Sequence, residues 1–180
     1  MLKTLFAFIL LAATLPAQVS LDWHRRLAEA MPLLGHRNWI LVVDSAYPLQ
    51  ISPGIETIDT NASHLDVLRA VMKAIDHSIQ VRPEIFTDAE LPFISDSDAP
   101  GASAYREQIA ELFRDDDVRS RPHEKLLSDL DEAGRTYHVL VLKTNMTIPY
   151  TSVFIRLDCK YRSEDQERNL RLRMKSTRSE

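Results

Sequence analysis

Cysteine is nearly absent. The chain has one, Cys159, so no intramolecular disulfide can form and stability must come from packing or assembly. Glycine is scarce as well, at four residues, too few for the glycine-rich loops that cradle phosphates. No GxGxxG, P-loop, GxSxG, HExxH or paired-cysteine motif occurs, which removes the common nucleotide, serine-hydrolase, zinc-protease and dithiol signatures. Positive charge is not in excess: 22 Lys and Arg stand against 26 Asp and Glu, for a net charge of −4. That balance argues against a nucleic-acid partner, whose affinity rests on phosphate neutralisation. No internal repeat and no low-complexity linker interrupts the chain. What is present is 180 residues at 44% hydrophobic content, enough for one domain with a real core.

The first residues read MLKTLFAFILLAATLPAQVS. Lys3 precedes an apolar run over residues 5–15, followed by Pro16 and the small residue Ala17, which is the pattern of a secretory signal peptide. The run is too short to span a bilayer. Cleavage after Ala17 is expected, giving a signal peptide over 1–17, a folded domain over 18–160 and an exported, periplasmic or secreted protein with no further membrane contact. From residue 161 the chain is strongly charged, with Arg168, Arg171, Arg173 and Lys175 near its end, and reads as a solvated tail.

Between these ends, helical and extended patterns alternate. Apolar positions at helical spacing over residues 21–34 predict a helix stopped by Gly35. WILVV, residues 39–43, predicts a strand buried on both faces. A loop through SAYPLQISPG leads to a short extended piece over 55–58. A helix follows over HLDVLRAVMKAI, with Leu65, Leu68, Val71, Met72 and Ile75 as its stripe. Residues 78–86 read as extended, with Pro83 limiting the pairing, and TDAELPFISDSDAPGASAY reads as a loop. Two more helices are expected, through AYREQIAELFRDD and over 123–133 with a stop at Gly134. YHVLVLK and TSVFIRL then predict the closing strands. The alternation describes a layered α/β domain.

The polar residues at strand ends are His36, Asp44, His123 and Tyr150, and ligand sites in open α/β sheets gather at strand ends. Three stretches carry a resemblance. LLGHRNWILVVDSAYP is similar to the Gly-His, strand, Asp and Tyr-Pro element of the D-ribose pyranase and L-fucose mutarotase family (RbsD/FucU). VRSRPHEKL resembles its histidine element before the last helix, and LVLKTNMTIPYTSVFI its turn, Pro-Tyr and apolar strand. The resemblance implies a single domain with a central mixed sheet flanked by helices, and a sugar mutarotase or pyranase that needs no cofactor and no metal. It implies a pentamer or decamer, with each site completed by a neighbouring subunit.

Carried over by position, His36 is the catalytic histidine, and Asp44, His123, Tyr150 and Ser152 bind the monosaccharide. Ser152 stands where the family has Asn, and the turn's Glu is replaced near Met146. A histidine suits this chemistry, because opening a hemiacetal needs a proton given to the ring oxygen and one taken from the anomeric hydroxyl near neutral pH. Other readings stand beside this one. A relative could bind carbohydrate without catalysis, and two histidines with one aspartate match a facial-triad metal set. Asp44 could only cap a turn. His24, His64, His77 and His138 read as structural or surface residues.

Overall fold

The computed structural model describes residues 22–176, so the expected signal peptide lies outside the described residues. Six strands form one sheet, with helices on both faces. In chain order they are α1 (Trp23–Ala30), β1 (Trp39–Val43), β2 (Ile55–Asp59), α2 (His64–Asp76), β3 (Val81–Asp88), α3 (Ala102–Leu112), β4 (Val118–Arg121), α4 (His123–Ala133), β5 (Val139–Lys143), β6 (Val153–Cys159) and α5 (Glu164–Ser176). The spatial order is β2-β5-β1-β6-β3-β4. β1 runs parallel to β5, β5 to β2, and β3 to β4, while β6 is antiparallel to both neighbours. The sheet is therefore mixed, with one reversed strand near its centre.

Each face of the sheet has its own core. Trp23 and Leu27 of α1, Val67, Leu68, Val71 and Ile75 of α2, and Tyr105 and Ile109 of α3 pack on alternate sheet residues such as Ile40, Val42, Leu140 and Ile155. On the other face Leu126 and Leu130 of α4 pack on Trp39, Leu41, Val43, Phe86 and Phe154. β1 is buried along its whole length, as the unbroken WILVV run requires of a strand covered on both sides.

Local chemistry explains where the structure departs from the sequence pattern. The first helix ends at Ala30, not at Gly35, because Pro32 has no N–H to extend the helical ladder. Gly35 instead donates its N–H to the Asn38 side chain at 2.7 Å. VRSR forms β4, an edge strand unmarked by any apolar alternation. It pairs only with β3, and its arginines reach Glu84, Asp117 and Asp129, the charged edge that resists further strand pairing. Pro83 falls where β3 has β6 on one side and no β4 partner on the other. The charged tail is helical over residues 164–176, with most of its described side chains exposed. Among the described residues no helix is long and apolar enough to cross a membrane.

Candidate functional site

The reversed direction of β6 builds the site. β1, β3 and β4 end at one edge of the sheet, and β6 begins there, between β1 and β3. Val153 pairs with Val42 on one side and Thr87 on the other. Continuing the register by one residue sets Ser152 level with Val43 and Asp88. Asp44 follows directly, and Pro122 caps α4 so that His123 opens it at the same edge. Four of the sequence-derived residues, Asp44, His123, Tyr150 and Ser152, come together here.

His123 Nδ1 lies 3.0 Å from Asp88 Oδ1, and the Asp88 side chain is fully buried. The His123 backbone N–H donates to both carboxylate oxygens of Glu90, at 3.1 and 3.2 Å. With Nδ1 on Asp88, Nε2 is left without a protein partner among the described residues. The Tyr150 ring meets the imidazole edge-on, with centroids 5.5 Å apart and planes at 90°. Tyr150 itself has φ of 59°, a left-handed backbone that costs a non-glycine residue about 1 kcal/mol or more. Such strain is tolerated where a side chain must point one way.

Asp44 serves two partners. Oδ1 accepts the Ala46 N–H at 2.8 Å, which is the turn cap, and Oδ2 accepts the Ser152 hydroxyl at 3.4 Å. Ser152 is 1% exposed, so its hydroxyl orients Asp44. Burial pushes the Asp88 carboxyl up to about 6; the His123 hydrogen bond and charge pull it back, and Glu90 and Asp44 add to the rise. A buried carboxylate that fixes an imidazole while leaving the second nitrogen open is a standard way to hold a proton carrier.

His36 is not in this cluster. It precedes β1 and Asp44 follows it, so the two lie one strand length apart, roughly 17 Å for five residues at 3.3–3.4 Å each. At that far edge His36 is half exposed, and its Nε2 lies 3.6 Å from Asp158 Oδ1. Arg82 holds the other oxygen of Asp158 through Nε at 2.9 Å and Nη2 at 2.5 Å. The facial-triad set is therefore not assembled within one chain, and no group of three His, Cys, Asp or Glu with metal-binding arrangement occurs among the described residues.

Two residues that matter were not singled out in the sequence. Asp88 sits in a stretch that reads as loop, although a carboxylate directly after the apolar Ile85-Phe86 pair of a strand was its signal. His64, which reads as structural or surface, is 2% exposed. Its Nδ1 lies 3.1 Å from Thr144 Oγ1, which in turn donates to the Val43 carbonyl at 2.7 Å. Its ring meets Tyr105 edge-on at 5.6 Å, and the Tyr105 hydroxyl donates to the Thr151 carbonyl at 2.8 Å. This buried layer holds the backbone carbonyls immediately before Asp44 and Ser152.

No protein-family model matches the chain, nor does any curated protein. Solved structures do. Bacillus subtilis RbsD complexed with D-ribose is similar at 15% identity and a TM-score of 0.53, over 74% of this chain and 91% of that one. FucU from Bifidobacterium longum is similar at 13% identity and a TM-score of 0.52, over 74% of this chain and 94% of that one. At such identities the likeness is one of architecture: this chain has an RbsD/FucU-like fold.

Proposed function

We propose that this protein is an exported mutarotase or pyranase, which interconverts anomers or ring forms of a free monosaccharide by acid/base ring opening. The observation that carries the reading is the His123–Asp88 pair facing Tyr150, beside the Asp44–Ser152 pair. The D-ribose held by the Bacillus subtilis protein of this fold supports a monosaccharide as ligand. Export rests on the N-terminal pattern of Lys3 and the apolar run over 5–15.

In this mechanism a base removes the proton of the anomeric hydroxyl, the bond from the anomeric carbon to the ring oxygen breaks, and that oxygen takes up a proton. Closing on the other face, or through another hydroxyl, gives the other anomer or ring size. His123 Nε2 is one proton carrier. Asp44 accepts hydrogen bonds from sugar hydroxyls, and the Tyr150 ring offers a flat face. The second proton carrier is His36 of a neighbouring copy, brought to this edge in a pentamer or decamer. Magnetisation-exchange NMR across a panel of reducing sugars tests the activity. Accelerated anomeric exchange of at least one sugar is expected; binding without acceleration would leave a non-catalytic carbohydrate-binding protein.

Two further outcomes follow. Asp44→Asn weakens sugar binding by about 1.5–3 kcal/mol, the scale for a charged hydrogen-bond partner lost from a desolvated site. A rise in KM with little change in kcat is its signature, and an unchanged KM would remove Asp44 from the binding set. Light scattering at micromolar concentration should show an assembly larger than a dimer. A monomer that still turns over sugar would exclude His36 from the reaction.

A further inference from the structure

Two of the chain's asparagines, Asn61 and Asn145, stand in the Asn-X-Ser/Thr pattern that accepts an N-linked glycan, as Asn61-Ala62-Ser63 and Asn145-Met146-Thr147. So short a pattern recurs by chance, and placement in the fold decides whether it can be used. A usable acceptor leaves the sheet in a turn, reaches solvent and has an accessible hydroxyl two residues on.

Both asparagines meet these conditions, and they meet them side by side. β2 and β5 are parallel with Asp59 level with Lys143, and each asparagine comes two residues after its strand ends. The two turns are joined by the Thr60 N–H, which donates to the Lys143 carbonyl at 2.9 Å, and by the Asn145 N–H, which donates to the Ala62 carbonyl at 3.1 Å. Asn61, Ser63, Asn145 and Thr147 are all exposed. Asn61 has φ of 47°, a left-handed turn conformation in which asparagine is enriched over other residues with a side chain. Ser63 precedes α2 without its hydroxyl making a capping bond, which leaves that hydroxyl accessible. Between the two turns lies a cavity of about 470 Å³, lined by both asparagines and by Leu49, which is 74% exposed. It offers the first sugar of a glycan both room and an apolar surface to cover.

We propose that Asn61 and Asn145 are modification sites that carry N-linked glycans. The proposal rests on the export reading, because the donor, a lipid-diphosphate-linked oligosaccharide, is met across the membrane. In the transfer the side-chain Nδ2 attacks the anomeric carbon of the donor's first sugar and gives up a proton. The N–C bond forms, the bond from that carbon to the diphosphate oxygen breaks, and the lipid diphosphate leaves. β1 and β6 separate the two turns from β3, which carries Asp88, so the glycans stand on the β2 side of the site edge and leave its β3 side open to a neighbouring copy.

The test takes the protein from its natural source and the full chain secreted from its own leader by a eukaryotic host. Peptide N-glycosidase F in heavy-oxygen water removes each glycan and leaves an isotope-labelled aspartate, which peptide mass spectrometry places. Label is expected at positions 61 and 145 and not at Asn38 or Asn169, since neither has Ser or Thr two residues on. In the secreting host Thr147→Ala should abolish the label at position 145 and keep it at position 61, Ser63→Ala should do the reverse, and Thr147→Ser should retain both. Leader-free protein from either source without label at both positions would overturn the proposal, and label at one position alone would strike the other from it. Label that survives loss of the hydroxyl would show a different attachment and overturn it as well. A natural protein with Met1 intact would overturn the export reading itself, and the modification with it, an outcome distinct from a processed chain that carries no glycan.

Discussion

His123→Gln should slow anomeric exchange by about 100-fold or more, the usual scale for a lost general acid or base, while the protein stays folded and still binds sugar. The fold is spared for a local reason. The bonds that tie the start of α4 to Glu90 come from the His123 backbone N–H, and any side chain keeps them. Only the imidazole carries the proton, and glutamine cannot ionise in its place. Exchange spectroscopy on the sugar that the wild type accelerates best gives the rate, and the dispersion of the amide spectrum reports folding. An unchanged rate in a folded variant would remove His123 from the chemistry and leave His36 alone as its carrier.

Asp88→Asn should change both the rate and the shape of the stability profile. The amide still accepts from His123 Nδ1 but no longer offers charge to a protonated ring, so a rate loss of about 10- to 100-fold is expected, smaller than for His123→Gln. The pH profile is more telling. Burial lets the folded protein keep a proton on Asp88 up to about pH 6, whereas an ordinary Asp releases it near 3.8. Between those values the folded state binds the extra proton, so stability falls as pH rises through the window, by up to about 3 kcal/mol.

His64 works in the opposite sense. Burial lowers it to about 4 from an ordinary 6.5. In that window the unfolded chain binds the extra proton, so stability rises with pH. The two slopes oppose each other in the wild type and should leave a nearly flat curve. Asp88→Asn removes the falling contribution, and its stability should climb with pH. Urea unfolding at several pH values between about 4 and 7 reads the difference, and parallel curves for the two proteins would show that Asp88 is not held protonated by the fold.

Much of the architecture was legible because it is written in apolar pattern. WILVV could only be a strand covered on both faces, and α4 runs as read, from His123 to its cap at Gly134. The parts that escaped carry no such pattern. β4 is a charged edge with nothing to bury, and α1 stops at a proline effect that outranks the glycine further on. In the site, the residues on the Pro-Tyr and His-Glu stretches were legible as a set. The spacing of His36 and Asp44 across one strand already placed them at opposite edges, yet which edge held the cluster depended on β6 running backwards, a long-range pairing that no local signal records. His64 and Asp88 were obscured by the same thing: a polar residue in a polar stretch reads as surface until the packing around it is known.

The central place of β6 also governs when the molecule can exist at all. Among the described residues it alone joins β2-β5-β1 to β3-β4, and it comes after the other five strands. Until its residues emerge from the ribosome, the earlier strands form two fragments with an open seam and unpaired edges between them. Folding is then committed only once β6 has been made, by insertion of a strand whose partners lie far back in the sequence, the kind of closure that is slow for entropic reasons. A chain truncated before Val153 forfeits the sheet as a whole.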